Sequence, residues 1–205
     1  MSDIVAYLNW IGIMGTTKGK KSREKILEMA ITLIYDKGFA DTSAQEIADL
    51  VGVSQANIFY HFKNKKKLFL EALNYVIQNN RNIFARMLSE QTYDRTHLKT
   101  LLLANIQWAL NYPEQTNIVL TLFNFATFDK DFKELAEQTM LGGRRQLLDI
   151  LSKMETPQNI DKEELAVMIQ QFANGAMFQL LASSHPMILA KRFEKSLDYY
   201  LDSIL

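Results

Sequence analysis

Thr42–Lys65 reads TSAQEIADLVGVSQANIFYHFKNK, and its spacing decides the local fold. Ile47 and Val51 are four apart, so they share one helix face. Ala48 is small where two helices would cross. Gly52 follows the first helical run, where a residue with positive φ turns the chain without Cβ strain. Ser43 and Glu46 form an S-x-x-E capping box for the first helix, and Ser54 is placed to cap the second. Val53 and Ile58 complete the apolar set. These signals predict two short helices joined by a tight turn, the layout of a helix-turn-helix, which presents its second helix to the major groove of DNA. The alternative is an ordinary helical hairpin inside a core. Gln55, Asn57, Tyr60 and His61 weigh against it. They are donor-rich, uncharged groups at outward positions, able to reach base edges or phosphates.

Around this motif, residues Lys21 to Leu70 resemble the DNA-binding domain of the tetracycline-repressor (TetR) family of bacterial regulators. The matching segments are SREKILEMAITLIYDKGFADTS (22–43), EIADLVGVS (46–54) and IFYHFKNKKKLF (58–69). The aromatic-aromatic-His-Phe-Lys-x-Lys string is the most specific of them. The resemblance implies DNA contacts from Gln45 on the first motif helix and from Ser54, Gln55, Ala56 and Asn57 in the first turn of the recognition helix. It implies phosphate contacts from Tyr60, His61 and Lys65. Gln55 and Asn57 can hydrogen-bond base edges, whereas Ala56 offers only van der Waals contact, for example to a thymine methyl. Phe59 stands where the family usually has a tyrosine, so one phosphate hydrogen bond is absent there. Phe62 is expected in the core, tying the recognition helix to the first helix.

The formal net charge of the 205 residues is zero, but the charge is unevenly spread. Residues 18–67 hold ten Lys/Arg against six Asp/Glu, and residues 68–205 hold thirteen against sixteen. The positive surplus lies on the segment expected to meet phosphates, and the acidic remainder discourages binding through another face. With no cysteine in the chain, a cytoplasmic protein is expected. An enzyme is not: there is no Gly-rich phosphate loop, no H-x-x-x-H pair and no nucleophile elbow. His61, His97 and His185 are far apart in sequence, so neither a metal nor a cofactor is expected. Residues 1–17 are apolar without a leading positive charge, which does not fit a signal peptide, and are too short for a membrane span. Two readings stay open for them: Met14 is the true start, or the segment is a short extra helix packed on its own or a partner's surface. Thr16 to Lys21 reads as a basic, flexible arm. The resemblance implies such an arm along the minor groove, and a solvated linker is the alternative.

The whole chain reads as all-α. A three-helix DNA-binding domain spans 18–66 after the 1–17 extension. A helical ligand-binding and dimerisation domain spans 67–205. About nine helices are predicted, plus a possible N-terminal extra. The first runs over about 22–37, with Ile26, Ala30, Leu33 and Ile34 buried and Gly38 as its stop. The two motif helices follow, and the others run over about 65–88, 94–111, 113–127, 129–154 with an interruption at Gly142-Gly143, 161–183 and 186–205. Asp161 and Glu164 read as a second capping-box-like start. Between Leu165 and Leu181 the apolar residues cover more than one stripe, which predicts burial on two sides. The resemblance implies that the last two helices pair with their copies in a homodimer, through Ala173, Met177, Leu180, Leu189, Phe193, Leu197 and Tyr200. The alternative is that both simply close a monomeric core. A pocket for a small, uncharged or amphipathic effector is expected in the body, with Phe84, Met87, Leu88, Trp108, Phe123, Met140 and Phe172 as candidate lining. The function implied is a ligand-responsive repressor of a palindromic operator. The competing reading is a DNA-binding protein whose body binds a protein partner instead.

Overall fold

The computed structural model describes residues 18–88, 93–156 and 160–205. The readings placed on residues 1–17 lie outside that range. Nine helices and no strand are present among the described residues: α1 (Lys18–Asp41), α2 (Ala44–Val51), α3 (Gln55–Phe62), α4 (Lys65–Leu88), α5 (Arg95–Asn111), α6 (Pro113–Phe125), α7 (Lys130–Ser152), α8 (Lys162–Leu181) and α9 (Pro186–Ile204). The fold is all-α, and none of these helices is long and apolar enough to cross a membrane.

Residues 18–21, read as a flexible arm, are the first turn of α1. Regular helix ends where the sequence places its stop. Gly38 takes φ 86° and ψ 164°, and the Thr42 hydroxyl donates to its carbonyl oxygen at 2.9 Å. Ile26, Ala30, Leu33 and Ile34 are buried, as their spacing requires. The Gly142-Gly143 interruption is absent, and α7 runs through both residues. Positive φ at glycine occurs only at Gly38 and Gly52 among the described residues. The glycine at 143 serves a close approach instead. The Gln170 side-chain amide donates to the Met140 carbonyl at 2.9 Å, and a Cβ at residue 143 would lie 2.9 Å from that amide nitrogen.

By contacts the chain divides into two compact units: residues 18–83 with Glu114–Leu135, and residues Phe84–Pro113 with Ala136–Leu205. The first unit is organised by phenylalanine. Phe39 stacks on Phe69 with ring centroids 4.7 Å apart, and Phe125 stacks on Phe132 at 5.1 Å. Phe69 meets Phe125 and Phe132 at 5.8 and 5.5 Å. Residues 114–135 therefore pack on side chains of α1 and α4, the helices that flank the helix-turn-helix in sequence.

In the second unit Leu98, Leu102, Trp108, Ile150, Leu151, Leu165, Ile169, Leu197 and Leu201 are buried. Arg95 and Lys99 of α5 pair with Asp198 and Asp202 of α9: Arg95 meets Asp202 at 2.6 Å and Lys99 meets Asp198 at 2.7 Å. These pairs hold Asp198 below the usual carboxylate range, chiefly through the Lys99 hydrogen bond. Asp161 caps α8 by accepting from the Glu163 backbone at 2.8 Å. The expectation that α8 is buried on two sides does not hold within one chain, because Met168 and Phe178 stay 44% and 48% exposed.

Candidate nucleic-acid interface

The helix-turn-helix is built from its caps inward. Ser43 precedes α2 in extended backbone, and its hydroxyl accepts from the Glu46 amide at 3.1 Å. The Glu46 carboxylate is turned to the Lys37 ammonium. Gly52 closes α2 with φ 76° and donates to the Ala48 carbonyl at 2.9 Å. No β-branched or bulky residue takes that left-handed conformation cheaply. Ser54 then caps α3 by accepting from the Asn57 amide at 3.1 Å. Ile47, Ala48, Ile58 and Phe62 are nearly inaccessible, and they fix α3 against the rest of the unit. The Arg23 guanidinium lies 5.0 Å from the Phe62 ring centroid, consistent with Phe62 joining the recognition helix to the first helix.

What α3 leaves outside follows from that anchoring. Ser54, Gln55 and Ala56 are exposed, and Tyr60 is 83% exposed. Phe59 is 38% exposed, an apolar ring in a face otherwise able to hydrogen-bond. His61 is half-buried, edge-on to Tyr60. Asn57 is half-buried as well, and its Oδ1 is sealed from solvent without a hydrogen-bond partner. A bidentate pair with adenine needs both ends of an amide. Gln55 has both free at the surface, whereas Asn57 presents one.

Two other expected contacts are already engaged. The Gln45 amide donates to Asp49, one helical turn on, at 2.7 Å. That i,i+4 pairing was legible from spacing alone. Lys65 was not legible: its ammonium donates to the Ala40 carbonyl at 2.7 Å and sits 4.6 Å from the Phe39 ring centroid. It ties the start of α4 to the end of α1. Lys65→Ala is therefore expected to cost about 1–2 kcal/mol of stability from one charged hydrogen bond and one cation–π contact near the surface. Chemical denaturation checks this, and an unchanged midpoint would show that the contact contributes nothing. Its neighbour Lys66 is held by two carboxylates, Asp129 and Asp131, each at 2.8 Å. Those hydrogen bonds raise the Lys66 pKa and lower those of both aspartates. Sequence reasoning passed over this trio because its members lie more than sixty residues apart. Lys63 and Lys67 are exposed on either side.

The pocket candidates fall in both units. The side chains of Phe84, Met87 and Leu88 lie outside the described residues. Phe123 belongs to the first unit, and Trp108, Met140 and Phe172 to the second. Within that unit Trp108 is buried, Met140 is 36% exposed, and Phe172 stacks on Tyr200 at 4.1 Å. Phe172 instead lines an open groove of about 440 Å³ between α8 and α9, together with Gly175, Leu180, Leu189, Arg192 and Phe193. Of the expected interface residues, Leu180, Phe193 and Leu197 are buried within one chain, while Ala173, Met177, Leu189 and Tyr200 are half-exposed.

A capped helix-turn-helix with an outward polar face, inside an all-α chain, defines the class of helix-turn-helix transcriptional regulators. Residues 26–72 match the family model for "Bacterial regulatory proteins, tetR family". The segment that holds the helix-turn-helix is therefore similar to the DNA-binding segment of TetR-family regulators. It is 24% identical over 195 residues to the HTH-type transcriptional regulator TtgR of Pseudomonas putida, covering 91% of this chain and 93% of that one. It is 34% identical over 67 residues to IcaR of Staphylococcus aureus (strain Newman), the "Biofilm operon icaADBC HTH-type negative transcriptional regulator", over 29% of this chain and 36% of that one. The crystal structure of a TetR transcription regulator from Haloarcula marismortui has the same fold, with a TM-score of 0.78, 19% identity, and coverage of 91% and 99% of the two chains.

Proposed function

We propose that this protein is a ligand-responsive repressor that holds a near-palindromic operator as a dimer. The observation that carries the DNA reading is the division of α3: Ile58 and Phe62 are buried while Gln55, Ala56 and Tyr60 face outward. Gln55 reads a base edge, and Ala56 packs on a base. The Ser54 hydroxyl and Tyr60 meet phosphates, and His61 adds a donor. Gln45 joins once it leaves Asp49. Repression agrees with the negative-regulator name of IcaR. In functional terms, residues 18–66 carry the DNA contacts, and 67–205 carry effector binding and dimerisation. Effector entry shifts α4 and changes the separation of the two recognition helices, with a coupling on the order of 1–3 kcal/mol. The test is selection from a random-sequence duplex pool. Enrichment of two related half-sites about one helical turn apart, or a multiple of it, is expected. No enrichment from the folded protein defeats the reading.

The dimer is supported by what α8 and α9 leave uncovered. Met168, Phe178, Met187, Ile188 and Tyr199 are each at least 44% exposed, large apolar side chains that one chain leaves open to a partner surface. Leu189 lines the groove between α8 and α9, Ala173, Met177 and Tyr200 are half-exposed on the same two helices, and Leu197 is buried. Gly175 lines the groove, and a Cβ there meets nothing within 4 Å in one chain. Gly175→Leu is therefore expected to leave the fold intact, to gain up to about 1 kcal/mol of helix propensity, and to shift sedimentation toward monomer. If the wild-type chain is itself monomeric at micromolar concentration, the exposed apolar side chains serve a protein partner, and the competing reading takes over.

A further inference from the structure

Three lysines in succession open α4, and the first turn of that helix holds no acidic residue. The helix begins three positions after the recognition helix ends at Phe62, so these lysines stand beside the proposed DNA face. Their positive charge and the N-terminal end of the helix dipole both favour a phosphate there. Yet Lys65 is turned to the Ala40 carbonyl, and Lys66 to Asp129 and Asp131. The trio is at the surface: the side chains of Lys66, Asp129 and Asp131 are 39%, 29% and 45% exposed. Two carboxylates against one ammonium leave a local surplus of negative charge, which also lies near Lys67.

From this geometry we infer that Asp129 and Asp131 are a built-in competitor for a DNA phosphate, withholding Lys66 from the duplex and limiting how tightly the head binds any sequence. The carboxylates offer Lys66 the anionic oxygens that a phosphate would offer. The Lys66 stem is flexible and its head is a compact charge, so exchange needs no rearrangement of α4. The aspartates sit at the start of α7, where Asp129 Oδ1 also accepts from the Asp131 amide at 3.0 Å. Any displacement of that turn releases Lys66 and strengthens DNA binding, so the contact is an autoinhibitory one that the body can adjust. The inference rests on the DNA-binding reading above.

The variant D129N/D131N keeps the cap on α7, because asparagine caps as well as aspartate. Binding is read by fluorescence anisotropy on a mixed-sequence duplex of about 40 base pairs over a range of salt, with thermal melting as the folding control; no operator is needed, because phosphate contacts are sequence-independent. The double variant is expected to bind about threefold to tenfold more tightly, with a salt slope steeper by about one. K66M is expected to change little in the wild type, and in the D129N/D131N background to remove both the gain and the added slope. Unchanged binding by the double variant overturns the inference, and so does weaker binding. A gain that survives K66M also overturns it, since general charge then explains the effect. If K66M in the wild type already lowers the slope by about one, Lys66 is not withheld. A folded wild type that binds no duplex at low salt fails the DNA reading itself, whereas a wild type that binds while the variants follow none of this pattern fails the inference alone.

Discussion

Replacing Phe69 by alanine is expected to cost about 3–5 kcal/mol and to abolish DNA binding by the first unit. Phe69 is 1% exposed and touches Phe39, Phe125 and Phe132. Truncation removes the transfer energy of a whole ring and leaves a cavity among side chains drawn from α1, α6 and α7. It also removes three aromatic contacts, each worth about 0.5–1.5 kcal/mol beyond area. Against a domain stability of about 5–15 kcal/mol, that is enough to populate unfolded chain near physiological temperature. Phe69→Leu fills most of the space and is expected to recover more than half of the loss. Urea denaturation followed by circular dichroism, with DNA binding measured on the same samples, distinguishes these outcomes. A cost below about 1 kcal/mol for the alanine variant would mean that residues 114–135 do not pack on this ring.

The second large effect concerns base reading, and it separates two neighbours that look alike in sequence. Gln55→Ala is expected to lower affinity for the selected operator by about 1–3 kcal/mol, a factor of about five to 150, with little effect on mixed-sequence duplex. Asn57→Ala is expected to behave differently. The buried, unpartnered end of its amide costs the folded protein about 1 kcal/mol or more, and alanine is the better helix former. The free protein should therefore become more stable, by roughly 1 kcal/mol, while operator affinity falls by less than for Gln55→Ala. If Asn57→Ala destabilises the free fold, its amide is satisfied in solution and both residues read bases alike. Operator titrations and melting curves on the two single variants decide it.

How much of this was legible in the sequence varies from residue to residue. The caps at Ser43 and Ser54 and the left-handed Gly52 follow from local chemistry, since each bond spans three or four positions. The burial of Ile47, Ile58 and Phe62 follows from helical period. The start of α4 at Lys65 and the proline-led α6 and α9 were equally readable. Gly142-Gly143 misled, because a glycine pair reads the same whether it breaks a helix or admits a neighbouring side chain. Gln170, which decides between those, is 27 positions away from the second glycine. The α8 pattern misled in a related way: apolar residues on two sides state that two sides want burial, not that one chain supplies it.

The sequence by itself determined the helix-turn-helix and the all-α class, because caps, period and turn chemistry act over a few residues and owe little to the rest of the chain. Only the tertiary structure decided which polar groups on that motif are free. Lys65 is committed to Ala40, Lys66 to Asp129 and Asp131, and one end of Asn57 to the interior. Those commitments depend on where distant segments come to rest, above all residues 114–135 beside the head. The physical reason is that a charge or an amide binds whatever partner packing brings within about 3 Å, and sequence separation places no limit on which partner that is.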